Sequence, residues 1–263
     1  MPSTAAARIK PPSMFLALAE MQRAAFEYAT LPLAAPLLSF APRGDGHPVL
    51  VLPGFITDDL WTAPLRRYLE SLGYDTHAWE LGRNLGPRSI GANGEKLAER
   101  LRTIHEATGQ KVSLVGWSLG GVMARELASH FPEQVRQVIT LGSPFTGDPR
   151  ATTVAPVYER VTGEKLSGPA MEQRLREASA PLAVPATSIY SKSDGIVAWR
   201  NCIDAGEERS ENIEVYGSHC GLGANPAALF AVADRLAQPD GEWTPFDRSG
   251  CRAAFYPAPP SAH

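Results

Sequence analysis

The stretch Lys111 to Ala124 reads KVSLVGWSLGGVMA, and it sets a serine between glycines where a buried-strand pattern passes straight into a helical one. That arrangement suits nucleophilic chemistry. In G-x-S-x-G the serine sits on a strained strand-to-helix turn that pushes its hydroxyl out past the end of the sheet, and Gly116 and Gly120 let strand and helix approach. The helix that follows turns its free N–H groups and the positive end of its dipole toward the same point. A serine hydroxyl is a weak nucleophile near neutral pH, so Ser118 needs a base, and the base needs a carboxylate to orient it.

On such a turn the partners follow in the order Asp or Glu, then His. Only His130, His219 and His263 come after Ser118. His130 lies three turns down the helix that starts at the nucleophile, roughly 18 Å away at about 1.5 Å per residue, too far to reach it. His263 ends a proline-rich tail. His219, in Gly217-Ser218-His219-Cys220-Gly221, is the expected base. For the acid, Asp194 in Ser191-Lys192-Ser193-Asp194-Gly195 stands at a strand end; Asp204 and the Glu207-Glu208 pair, in what reads as solvated connector, are the alternatives. A developing oxyanion needs two backbone donors, one from the residue after the nucleophile and one from the loop after the first core strand. These are Leu119 and Phe55, with Gly54 turning the backbone inward. Gly54, Phe55 and Trp117 flank this chemistry and are expected at a substrate pocket. Trp61, Phe145 and the apolar 31–42 segment could also line it, although aromatics beside a sheet end are more often core.

Three cysteines add one inference. If Asp194 and His219 are hydrogen-bonded, Cys202 and Cys220 lie on neighbouring loops. They then either form a disulfide that braces acid and base, favouring an oxidising compartment, or remain two buried thiols. Cys251 is left over. No Cys/His spacing resembles a metal site, so neither metal nor other cofactor is expected.

The elements that must position these residues alternate along the chain. Apolar runs predict strands at Val49 to Leu52, Tyr74 to Leu81, Lys111 to Val115, Val135 to Leu141, Ala186 to Tyr190 and Ile213 to Tyr216. Helical spacing falls at Ala63 to Leu72, Asn93 to Ala107, Leu119 to His130 and Pro226 to Ala237. Six strands separated by helices or longer insertions predict a doubly wound, mostly parallel α/β sheet with helices on both faces. Residues 146–185, with a helical Ala170 to Ala178 inside, interrupt the alternation and would project over the strand ends as a small helical cap. The expected organisation is an N-terminal helical and apolar extension over 1–46 and a catalytic domain over 47–263. Within the extension, Ser13 to Tyr28 reads as an amphipathic helix packed on the domain, with Phe15, Leu18, Ala25 and Phe26 on one side. Leu31 to Pro42 contains three prolines and reads as an apolar connector that no long helix can cross.

Bulk composition narrows the partners. With 25 Lys and Arg against 28 Asp and Glu, scattered along 263 residues, the chain has no basic footprint for nucleic acid. No apolar run reaches the roughly 18 to 20 residues that a membrane-spanning helix needs, although residues 12–42 could touch a membrane surface. Arg8 and Lys10 before Met14 to Ala19 mimic a leader peptide, but the apolar part is short and begins at Pro11-Pro12. A cytoplasmic location is therefore favoured, and a disulfide would argue the other way.

Five segments together resemble an α/β-hydrolase of the bacterial lipase and esterase type. They are Val51-Leu52-Pro53-Gly54-Phe55, Gly116-Trp117-Ser118-Leu119-Gly120-Gly121, Leu141-Gly142-Ser143-Pro144-Phe145, Ser193-Asp194-Gly195-Ile196-Val197 and Ser218-His219-Cys220-Gly221-Leu222. The resemblance covers about His47 to Ala237. It implies a serine hydrolase acting on small-molecule or lipid carboxylic esters, with Ser118, Asp194 and His219 as the triad and the cap governing substrate choice. Two departures stand out: Pro53-Gly54 replaces the His-Gly that many members carry at the oxyanion loop, and no two extra strands precede Val49. An acyltransferase or thioesterase would use the same triad, and a non-catalytic binding protein on this fold would be expected to lack a member of it.

Overall fold

A computed structural model describes residues 9–205 and 208–258. Its centre is a six-stranded sheet of β1 (Pro48–Leu52), β2 (Asp75–Ala78), β3 (Val112–Trp117), β4 (Val135–Leu141), β5 (Ala186–Tyr190) and β6 (Ser210–Glu214). The order is β2-β1-β3-β4-β5-β6 and every pairing is parallel. The two-residue period of the strands builds two cores. Val49, Val51, Val115 and Trp117 face one side with α2 (Asp59–Leu72) and α8 (Pro226–Leu236). Leu50, Leu52, Val112 and Leu114 face the other with α4 (Glu95–Thr108) and α5 (Leu119–His130). Both faces are apolar because parallel strands are covered by helices on both sides, which is the doubly wound α/β arrangement.

Several boundaries differ from the sequence pattern for local reasons. Helix α2 begins at Asp59, one turn before the expected Ala63. Asp58 caps it by accepting from the Leu60 amide at 3.1 Å, and this start outweighs the bond lost at Pro64. Strand β6 starts three residues and ends two residues earlier than expected, because its partner β5 fixes the register from Ala186↔Ser210 to Tyr190↔Glu214. The chain then leaves the sheet and delivers His219. Two short helices escaped the pattern: α3 (Pro87–Ile90) and α6 (Ala155–Thr162). With α7 (Pro169–Ser179), α6 lies between β4 and β5, where Tyr158, Leu166 and Met171 form a small cluster against Phe55 and Leu119.

The largest departure is α1 (Met14–Leu38), one helix that runs through both Pro32 and Pro36 where an apolar connector was expected. The prolines are four residues apart and both are exposed, so the carbonyls they leave unbonded lie on the solvent side, where water can satisfy them. Its orientation is also reversed. Phe15, Leu18 and Phe26 are 79%, 77% and 69% exposed, whereas Glu20 is buried at 1%. The helix's second half packs Leu31, Ala34 and Leu38 against the core, but beneath its first half lie two loops whose backbone N–H and C=O groups polar side chains satisfy where apolar ones would not.

Candidate active site

Ser118 lies between the last residue of β3 and the first of α5, with φ at 53° and ψ at −121°. A side-chain-bearing residue in the left-handed region stores strain, and here the close approach of strand and helix enforces it. A Cβ on Gly120 would stand 2.5 Å from the Leu52 carbonyl oxygen, and one on Gly121 would overlap the Ser143 hydroxyl. Gly121 is therefore as necessary as Gly120.

The structure brings three of the singled-out side chains into one chain of hydrogen bonds. Ser118 Oγ is 2.9 Å from His219 Nε2, and His219 Nδ1 is 2.6 Å from Asp194 Oδ2. Ser118 is half-buried, while Asp194 and His219 are buried. Asp194 Oδ1 accepts from the amides of Ile196 at 2.8 Å and Val197 at 2.7 Å, which fixes the carboxylate's rotamer. Burial by itself would push the imidazole pKa down. The charge and hydrogen bond of Asp194, with the charge of Glu20, outweigh burial and hold it above the ordinary histidine value. Gly142 has φ at 57°, and a Cβ there would meet His219 Nδ1 at 3.1 Å, so this glycine leaves room for the acid and base to meet.

Other residues shape the loop after β1. Asn84 is fully buried, and its Nδ2 donates to the Pro53 carbonyl at 2.8 Å. Its carbonyl accepts from Ile56 N–H at 2.7 Å, and its own N–H donates to Thr57 O at 2.8 Å. No sequence motif marks Asn84; only the folded contact does. The N–H groups of Phe55 and Leu119 have no protein acceptor among the described residues.

A narrow cavity of about 80 Å³ opens beside Ser118, with Phe55, Leu119, Val122 and Met171 among its walls. Its polar wall groups are already engaged. Arg174 is paired with Glu126 and Glu164, each at 3.0 Å, and Tyr158 OH donates to Glu164 at 2.8 Å. Burial pushes the Glu126 carboxyl up to about 7 against the opposing charge of Arg174. What remains facing the cavity is apolar.

Several expectations are corrected. Trp117 and Gly54 do not line this cavity. The indole lies in the core beneath it, where its Nε1 donates to the His219 carbonyl at 3.0 Å. A Cβ on Gly54 would meet Ser118 Cβ at 3.3 Å, so this glycine spaces the loop from the nucleophile. Phe145 is buried under Arg125, and Trp61 is 43% exposed on α2. The Cys202–Cys220 bond is not formed. Cys202 is buried with Tyr190 and Val197, whereas Cys220 packs against the core on the α8 side, so both are free thiols. Asp204 is not in a solvated connector: it is buried and paired with Arg125 at 2.7 Å. Glu208 is exposed and His130 binds the Glu126 carbonyl at the far end of α5, while Glu207 and His263 lie outside the described residues.

Comparison with known proteins agrees with this architecture. A family model described as the alpha/beta hydrolase fold matches residues 47–164, beginning where the sheet begins and including Ser118. Aspergillus fumigatus lipase B superposes with a TM-score of 0.60 at 20% identity over 76% of this chain and 54% of that one, so this chain spans about half of its length. Paleococcus ferrophilus monoacylglycerol lipase gives 0.55 at 16% identity, over 75% of this chain and 96% of the other. An α/β superfamily hydrolase from Oenococcus oeni gives 0.53 at 16% identity, with 73% and 91% covered. At these identities the likeness is one of fold, and with the family model over residues 47–164 it shows that the chain has the α/β-hydrolase fold.

Proposed function

We propose that this protein is a serine hydrolase that cleaves carboxylic esters through an acyl-enzyme. The observation that carries this is the continuous hydrogen-bond chain from Asp194 through His219 to Ser118, ending at the mouth of an apolar cavity. Ser118 Oγ attacks the ester carbonyl as His219 Nε2 takes its proton, and the carbonyl oxygen becomes an oxyanion held by the Phe55 and Leu119 amides. Collapse breaks the bond to the alcohol, which leaves with the proton from His219. Water then attacks the acyl-enzyme, giving its proton to His219, and the carboxylic acid departs as Ser118 is reprotonated. Asp194 holds the imidazole tautomer and stabilises its cation without accepting the proton.

The segment carrying α6 and α7 acts as the cap and sets acyl preference. With its arginine held between Glu126 and Glu164, the cavity wall suits an uncharged acyl chain. The cavity's small volume, about 80 Å³, favours short chains. The test is a p-nitrophenyl ester series from acetate to palmitate on wild type and Ser118→Ala. Turnover should peak at short chains and vanish in the variant; an inactive wild type or a fully active variant overturns the proposal.

The outward face of α1 supports a second element, contact of residues 12–42 with a lipid surface. Phe15, Leu18, Phe26, Leu33 and Leu37 are each more than 60% exposed and lie along one side. No helix among the described residues is long and apolar enough to cross a membrane, but an outward apolar stripe can lie in the headgroup region. Co-sedimentation with phosphatidylcholine vesicles should fall on Phe15→Ser/Leu18→Ser/Phe26→Ser, and equal recovery of both proteins rejects it.

A further inference from the structure

Three residues of α1 spaced to share one helical face, Glu20, Arg23 and Glu27, reach the two loops that carry the acid and the base. Glu20 bridges them: its Oε2 accepts from the Gly195 amide at 3.0 Å, one residue after Asp194, and its Oε1 accepts from the Cys220 amide at 2.7 Å, one residue after His219. Arg23 spans the same gap on the other flank, donating to Ser193 O at 2.7 Å, Ser193 Oγ at 3.0 Å and Gly217 O at 2.8 Å. Glu27 accepts from the Ser218 amide at 2.7 Å. Six backbone or hydroxyl partners flanking Asp194 and His219 are thus held by one helix outside the sheet.

The loops are shaped for this contact. A Cβ on Gly195 would stand 2.5 Å from the Leu16 carbonyl and 2.7 Å from Glu20 Oε2, and one on Gly221 would overlap Glu27 Oε2. Two glycines that follow the acid and base in sequence are therefore needed for the helix to dock.

We propose that α1 is a positioning clamp: Glu20, with Arg23 and Glu27 beside it, fixes the acid loop against the base loop and so keeps His219 aimed at Ser118. The proposal rests on the serine-hydrolase reading above. Glu20 does not touch the reacting atoms. It acts through the backbone of both loops and, secondarily, through its charge near the imidazole. The charged and titratable groups around that imidazole are Asp194 from the acid loop, Glu20, Arg23, Glu27 and Tyr28 from α1, and the adjacent Cys220. Burial pushes the Tyr28 phenol up and the Cys220 thiol to about 12, so both stay neutral near pH 7. Glu20 is then the second negative charge, after Asp194, that favours the imidazolium.

Glu20→Gln tests this in the full chain. Both carboxylate oxygens accept backbone N–H groups, and an amide offers one acceptor and turns its own donors against the other, so one bridge must break. On p-nitrophenyl acetate, kcat should fall about 10- to 100-fold with KM within about twofold, the scale of a small misalignment of reacting groups. The acidic limb of kcat/KM should move to lower pH, because losing a negative charge favours neutral imidazole. A purely structural role would lower Tm and leave kcat per folded molecule and the limb in place; that result overturns the clamp. Ser118→Ala is measured in parallel. If it retains activity, the hydrolase reading fails; if it is inactive while Glu20→Gln matches wild type in kcat and limb, only the clamp fails. Arg23→Met removes three bonds to the two loops together with the 3.9 Å ion pair to Glu20, while both Glu20 bridges keep their backbone donors, and it decides the matter if Glu20→Gln does not fold. Lower kcat at unchanged KM supports the clamp, and wild-type kcat rejects it.

Discussion

Replacing Asp194 by asparagine separates a charge effect from a tautomer effect, because the surrounding bonds dictate how the new amide must sit. Asp194 Oδ1 accepts two backbone amides, at 2.8 Å from Ile196 and 2.7 Å from Val197. An amide nitrogen there would face two donors, so the asparagine oxygen must take that position and its NH2 must occupy the place of Oδ2. That NH2 then points at His219 Nδ1 from about the present 2.6 Å. Nδ1 must become an acceptor, the proton moves to Nε2, and the ring meets Ser118 with a donor where a base is needed. The loss expected from a wrong tautomer is about 10⁴-fold in kcat, equivalent to about 5.5 kcal/mol at about 1.4 kcal/mol per decade. The assay is kcat on p-nitrophenyl butyrate, with a thermal melt to establish that the variant is folded. Asp204→Asn serves as the contrast. It weakens a buried ion pair with Arg125, so it should lower stability by about 3 to 5 kcal/mol and leave kcat per folded molecule near wild type. An Asp194→Asn enzyme within tenfold of wild type, or an Asp204→Asn enzyme that is folded and inactive, refutes the assignment.

Gly121→Ala should destabilise by about 1 to 3 kcal/mol through overpacking against Ser143 and displace Ser118; a lower urea midpoint with lower kcat is expected, and wild-type values for both would mean the elbow is looser than its contacts indicate. Glu126 titrates near 7 in the folded protein because burial disfavours its charge, so folding takes up a proton between the ordinary carboxylate range and about 7. Stability from this group therefore falls as pH rises through that window. Urea midpoints at pH 5 and 7.5 should show this slope flattened in Glu126→Gln, and an identical slope in the variant would contradict it.

The alternation of strands and helices was legible in the sequence because it depends on local periods, two for strands and 3.6 for helices, and because parallel strands carry apolar residues on both faces. Val135–Leu141 and Leu119–His130 end where their apolar patterns end. Legibility failed where a partner decided the outcome. Strand β6 took its register from β5, and α1 crossed Pro32 and Pro36 because their unbonded carbonyls lie on the exposed side. At the site, chain order singled out Ser118, Asp194 and His219, and the fold stands them within hydrogen-bond distance. Asn84, Gly142 and the α1 residues carried no such order signal, since they act through contacts with distant segments. Asp204 looked solvated only because its partner Arg125 is 79 residues away.

The sequence by itself determined the candidate set: glycine spacing, the strand-to-helix junction and the order of Ser118, Asp194 and His219 are properties of the chain as written. The tertiary structure decided what faces what. Trp117 turned into the core, Cys202 and Cys220 entered different clusters, and α1 presented its polar face inward. The physical reason is that a side chain's direction depends on the unmet needs of the surface it lands on. Beneath α1 those needs were backbone hydrogen bonds, which Glu20, Arg23 and Glu27 could meet and Phe15 and Leu18 could not.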